Sequence, residues 1–107
     1  MSMPPPPYTL NMTDDHWRAI ERLPHHAQQV DAMDFLMTYV VYTPARHLPN
    51  GDLKELKGEH KGLWQYDIDR DYRIVYRIDE ALRTVTVEYV GHHPDWGKGR
   101  RGGSIRS

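Results

Sequence analysis

The sequence contains no cysteine. That absence removes disulfide bonds, thiolate-ligated zinc and a thiol nucleophile together, and it fits a reducing cytoplasm. No run of apolar residues is long enough to cross a bilayer, and no signal-peptide core is present. Internal repeats are absent. His-x-x-x-His and His-Glu-x-x-His spacings are absent too. Adjacent histidines such as His25-His26 and His92-His93 would diverge by about 100° on a helix and chelate poorly. The glycines around Lys98 lie outside any strand–loop–helix context that could cradle a nucleotide phosphate. Neither a metal nor a cofactor is expected.

What remains is a chain of 107 residues, enough for one domain with a modest core. The net charge of −1 conceals an uneven distribution. Residues 1–96 carry ten Lys/Arg against fifteen Asp/Glu, whereas residues 97–107 carry Lys98, Arg100, Arg101 and Arg106 and no acid. A basic, Gly-rich tail on an acidic body can hold phosphates without sequence preference. It can equally be a solvated terminus. At the other end, Pro4-Pro5-Pro6-Pro7 makes an extended arm. The expected organisation is an arm at 1–7, one domain at 8–96 and a tail at 97–107.

Within the domain, Tyr8-Thr9-Leu10-Asn11-Met12 alternates and predicts a short strand. Thr13 with Asp14 and Asp15 marks a helix start, and Trp17, Ile20 and Leu23 give that helix an apolar face. A second helix is expected from about His25 to Tyr42, with Ala27, Val30, Met33, Met37 and Val40 as its buried stripe, widened by Leu36 and Val41. Pro44 ends it. Ala45 to Gly62 reads as a loop rich in breakers. Three strands follow, pairing as a meander through short links. Their core-facing residues are expected to be Trp64, Tyr66 and Ile68, then Tyr72, Ile74, Tyr76 and Ile78, then Val85, Val87 and Tyr89. The fold class is therefore α+β: a small antiparallel sheet of an N-terminal strand and a C-terminal three-stranded meander, one face packed by a helical hairpin. The opposite face would carry Gln65, Asp67, Arg73, Val75, Arg77, Thr86 and Glu88, a wet and charged surface.

Four pieces of sequence stand in a telling order. They are Leu53-Lys54-Glu55-Leu56-Lys57-Gly58, Gly62-Leu63-Trp64, Tyr72-Arg73-Ile74-Val75-Tyr76, and Val90-Gly91-His92-His93. In this order the chain resembles the RelE/ParE toxins of bacterial type II toxin–antitoxin systems. The resemblance is sharpest from Leu53 to His93 and implies the fold just described. RelE-like members cleave mRNA, mostly on the ribosome; ParE-like members poison DNA gyrase.

RNA can be cut without metal when its own 2′-hydroxyl attacks the phosphate. A base takes that proton, an acid protonates the leaving oxygen, and a cation stabilises the charge that develops. Arg73 matches the arginine that RNA-cleaving relatives place at the scissile phosphate, and its planar fork suits that role; the alternative is an ion pair with Asp67 or Glu88. His93, and less closely His92, matches a strand-end histidine of several RNA-cleaving relatives, and histidine exchanges protons near neutral pH. Trp96 corresponds to an aromatic that can stack on a base, or it folds back on the core edge. Lys54, Lys57 and Lys61 could contact phosphates, with Glu55 among them as a candidate general base, or all four are loop residues in solvent. Arg77 could extend the phosphate track, and Lys98, Arg100 and Arg101 could dock on RNA.

The sequence departs from RelE proper in one respect. Two lysines expected on the strand before the Tyr-Arg motif are replaced by Gln65 and Asp67, which favours the histidine-using branch. The resemblance therefore implies a cytoplasmic, ribosome-associated endoribonuclease toxin that inhibits translation. Its partners would be a cognate antitoxin, mRNA and the ribosome, with no membrane and with operator DNA reached only through the antitoxin complex. The rivals are a gyrase inhibitor and a catalytically inactive antitoxin-binding module.

Overall fold

The computed structural model describes residues 5–45 and 52–92. The chain runs through β1 (Thr9–Asn11), α1 (Asp14–Glu21) and α2 (His26–Asp34), which continues into a π-helical turn at Phe35–Tyr39. It then forms β2 (Leu53–Glu55), a 3-10 turn at Gly58–His60, β3 (Leu63–Asp67), β4 (Tyr72–Asp79) and β5 (Thr84–His92). The sheet order is β1-β5-β4-β3-β2. The α+β layout agrees with the expectation from sequence, with two differences. The segment read as a loop contains a further strand, β2, paired antiparallel with β3. The sheet is mixed, because β1 lies parallel to β5. Both flanks of β4 are already taken by β3 and β5, so the N-terminal strand can only add to the outer edge of β5.

The start of α1 is fixed by its own side chains. Thr13 Oγ1 accepts from the His16 amide at 3.2 Å, and the Thr13 amide donates back to His16 Nδ1 at 3.3 Å. A histidine thus takes the place that Glu or Gln usually fills in a capping box. Ile20 and Leu23 are buried, and Trp17 packs at the core edge, as the spacing predicts. Gln29 joins α2 to the end of α1 by donating to the Leu23 and Glu21 carbonyls.

The second helix does not bury the expected stripe. Val30 and Met37 are each 52% exposed, and Ala27 faces solvent. Ala32, Phe35, Leu36, Val40 and Val41 fill the core instead. Two causes combine. Phe35, left out of the predicted stripe, lies flat on Tyr66 of β3 and pulls its own face inward. The π turn then inserts one residue, with the Val40 amide bonded to the Phe35 carbonyl at 2.8 Å. One extra residue rotates everything after it by about 100°.

A second irregularity sits in the sheet. The β4–β5 register slips between Val75 and Tyr76, so Val75 faces Tyr89 while Tyr76 faces Val87. Glu88 is the extra residue of a β-bulge, and every side chain beyond it changes face. Tyr89 therefore leaves the core face to which alternation assigned it, and Val90 takes the buried place opposite Ile74.

Candidate functional site

Arg73 stands on the central strand β4, on the face away from the helices, as predicted. It is not on a wet surface. Its side chain is only 9% exposed, Val75 beside it is fully buried, and Gln65 across the strand pair is 2% exposed. Three groups hold the guanidinium. Nη1 donates to the Asp69 carbonyl at 2.7 Å and to the Tyr72 carbonyl at 3.3 Å, while Nε lies 2.9 Å from Asp67 Oδ1. The last contact is one of charge and not an aligned hydrogen bond, for Nε–H points at no acceptor among the described residues. Asp67 is Arg73's direct partner across the β3–β4 hairpin, and its Oδ1 also accepts from Gln65 Nε2 at 3.0 Å.

The hairpin loop supplies the rest of the frame. Asp69 Oδ1 accepts from the amides of Asp71 and Tyr72 at 2.9 and 3.0 Å, a side-chain turn that aims the Asp69 carbonyl at Arg73. Gln28 of α2 donates to the other carboxylate oxygen. Burial pushes the Asp69 carboxyl up, but the bonds from Gln28, Asp71 and Tyr72 and the Arg73 charge outweigh it and hold the group below its ordinary range.

The other predicted residues divide by strand parity. Lys54 pairs with Gln65 in β2, which puts it on Arg73's face, exposed. Glu55 pairs with Trp64 and so belongs to the opposite face, which argues against its acting as a base beside Arg73. Lys57 and Lys61 bracket the 3-10 turn and are exposed. Arg77 shares the Arg73 face but forms an ion pair of 3.2 Å with Glu88. Arg83 points elsewhere, donating to the Tyr8 hydroxyl at 3.2 Å.

His92 pairs with Tyr72 and touches its ring edge-on at 4.9 Å between centroids. Both belong to the face opposite Arg73, so the structure does not bring His92 and Arg73 together. The residue across from Arg73 is Gly91. Over it lies Tyr89, whose hydroxyl donates to the His92 carbonyl at 2.6 Å and is pushed up from its ordinary pKa by burial. His93, Trp96, Lys98, Arg100 and Arg101 lie outside the described residues.

Sequence reasoning missed the Asp69 carbonyl and Tyr89 as neighbours of this site. The first had a signal, an Asp two and three residues before the amides it caps. The second had none, because the bulge that moves Tyr89 leaves no mark in the alternation. Among the described residues no group of three or more His, Asp or Glu could hold a metal ion, and no helix is long and apolar enough to cross a membrane.

No family profile matches the chain, and no curated protein matches it in sequence. Solved structures do. The chain is similar to the toxin–antitoxin complex RelBE2 from Mycobacterium tuberculosis, with 28% identity, a TM-score of 0.63, and coverage of 81% of this chain and 99% of that one. It is also similar to a YoeB/ParE toxin from Agrobacterium tumefaciens, with 25% identity, a TM-score of 0.64, and coverage of 79% and 98%. The archaeal RelE–RelB complex from Pyrococcus horikoshii shares the fold at 19% identity, with a TM-score of 0.61 over 89% and 99% of the two chains. The structural neighbours are thus RelE, YoeB and ParE toxins, and the five-stranded sheet with its helical hairpin is their fold.

Proposed function

We propose that this chain is the toxin of a toxin–antitoxin pair and acts as a metal-independent endoribonuclease on mRNA at the ribosome, thereby inhibiting translation. The observation that carries the reading is Arg73: a guanidinium on the central strand, held at a fixed position by two carbonyls and a carboxylate, with Lys54 on the same face. Rigid placement of a cation where charge develops is the main device by which proteins accelerate phosphoryl chemistry. The likeness to toxins that share this fold supports it.

In this reading the 2′-hydroxyl attacks the adjacent phosphorus, the bond to the 5′-oxygen breaks, and a cyclic phosphate forms. Arg73 stabilises the extra negative charge of the transition state. His93 has the opposite strand parity to His92 and is the candidate to move a proton. Trp96 stacks on a base, and Lys54, Lys57, Lys61, Lys98, Arg100 and Arg101 bind phosphates. A cognate antitoxin covers the chain in the resting cell, and operator DNA is reached through that complex.

Primer extension on cellular mRNA, after inducing the wild-type chain and the Arg73→Ala, His93→Ala double variant, tests the reading. New ends confined to translated frames and absent with the variant support it. Intact mRNA with arrested growth sinks it.

One observation favours a second reading, gyrase inhibition. β3 presents Gln65 and Asp67 toward Arg73 where RelE proper has lysines, and Asp67 neutralises the arginine. DNA damage with intact mRNA would select it.

A further inference from the structure

The guanidinium of Arg73 is the inner partner of its ion pair and the carboxylate of Asp67 the outer one, with side chains 9% and 24% exposed. An anion approaching from solvent therefore meets a negative charge first. Asp67 is held in that position: Gln65 Nε2 donates to its Oδ1 at 3.0 Å, and its amide is tied to the Asp52 carbonyl at 2.7 Å. Yet the pair is poorly made from the arginine's side. Nε is buried and lacks an aligned acceptor, although Asp67 Oδ1 is only 2.9 Å away. Carboxylate and phosphate oxygens compete for the same guanidinium fork, and the better-aligned ligand gains the stronger charge-assisted bond.

We propose that Asp67 is a gate on Arg73: its carboxylate closes the guanidinium in the resting protein, and a phosphodiester engages Arg73 only by displacing it. The phosphodiester as ligand rests on the RNA-cleaving reading; the gate itself does not. Asp67 is thus a positioning residue that sets how readily an anion reaches the arginine. It also makes the outward acid of β3 a brake where relatives of the RelE kind carry lysine.

Two titrations on the full chain test this. One follows the Nε–Hε NMR signal of Arg73 with sodium sulfate; the other follows fluorescence anisotropy of an RNA oligonucleotide whose 2′-hydroxyls are methylated and cannot attack. Asp67→Asn should bind both ligands roughly tenfold more tightly than wild type, about the worth of one charge-assisted contact. The gain should vanish when Arg73→Gln is added. Asp71→Asn, the same charge change on the neighbouring turn, should shift either affinity less than about twofold, as an exposed charge does.

In the wild-type chain the side-chain carboxylate ¹³C signal of Asp67 should move at the same sulfate concentrations as Arg73 Hε. That measurement stands even where Asp67→Asn fails to fold. Equal sulfate affinity in Asp67→Asn and wild type, a gain that persists without Arg73, or an Asp67 signal that ignores sulfate each overturns the gate. A gain for sulfate with no RNA binding keeps the gate and removes RNA as its ligand.

Discussion

The rings of Phe35 and Tyr66 lie parallel, 3° apart in tilt and 3.8 Å between centroids, and the Tyr66 hydroxyl donates to Asp31 Oδ1 at 2.6 Å. One residue of β3 thereby grips α2 twice, by stacking and by a hydrogen bond. Burial, and then the bond to Asp31, push the phenol well above its ordinary pKa, so it stays a donor at any physiological pH. The two grips are separable. Phe35→Ala should cost about 3–5 kcal/mol, because it opens a cavity under the helix. Tyr66→Phe keeps the stack and should cost only about 0.5–1.5 kcal/mol. Urea unfolding of the two variants checks the order; equal losses would show that the hydrogen bond, and not the stack, seats the helix.

The outer surface of α2 offers a test of the rotated stripe. Val30 and Met37 are exposed, so Val30→Lys and Met37→Lys should each change stability by no more than about 0.5 kcal/mol. The same substitution at Leu36, fully buried, should prevent folding. Were the helix regular and the predicted stripe correct, Met37→Lys would be as damaging as Leu36→Lys. Thermal melts of the three variants decide.

Gly91 faces Arg73 with φ of +155°, and a Cβ there would sit 3.1 Å from the Tyr89 hydroxyl. Gly91→Ala should destabilise the chain by about 1–3 kcal/mol through backbone strain. It should also break the Tyr89 bond to the His92 carbonyl. Tyr89→Phe, Gly91→Ala should recover part of the loss, since removing the hydroxyl relieves the contact but not the φ. Full recovery in the double variant would show that the backbone is unstrained.

Asp69 carries a pH signature. Its folded-state pKa is lowered, so its charge adds stability that is fully present above the unfolded value of about 3.9 and is lost as pH falls through the folded pKa. Asp69→Asn keeps an acceptor for the turn but loses the charge. It should melt below wild type at pH 7, by the modest amount expected of an exposed acid. The difference should close as pH falls beneath the carboxylate range. A difference that persists at the lowest pH would assign the effect to turn geometry instead.

Parity makes a prediction about activity. On the proposed reaction, Arg73→Ala should lower RNA cleavage by about 10²–10³-fold, the usual cost of losing a preorganised charge stabiliser. His92→Ala and Glu55→Ala should leave it within about threefold, since both lie across the sheet from Arg73. Lys54→Ala should weaken RNA binding more as salt is lowered, as a phosphate contact does. Single-turnover cleavage of a labelled RNA measures all four. Full activity in Arg73→Ala, or its loss in His92→Ala, would move the site elsewhere.

Much of this molecule is legible in its residues alone. Trp17, Ile20 and Leu23 place α1, the alternation in Leu63–Asp67 and Tyr72–Asp79 places β3 and β4, and the position of Arg73 on the reverse face follows from parity. These are local patterns, and a period of two or 3.6 survives in sequence because each element buries one face. Three things were decided only by tertiary contact. The π turn after Phe35 and the bulge at Glu88 each insert a single residue, which leaves composition unchanged and reverses which side chains are buried. Leu53–Glu55 is too short to announce itself and is a strand because β3 offers it an edge. The closure of Arg73 by Asp67 depends on the register of a hairpin, so the residue types set the charges and the pairing set the distance between them.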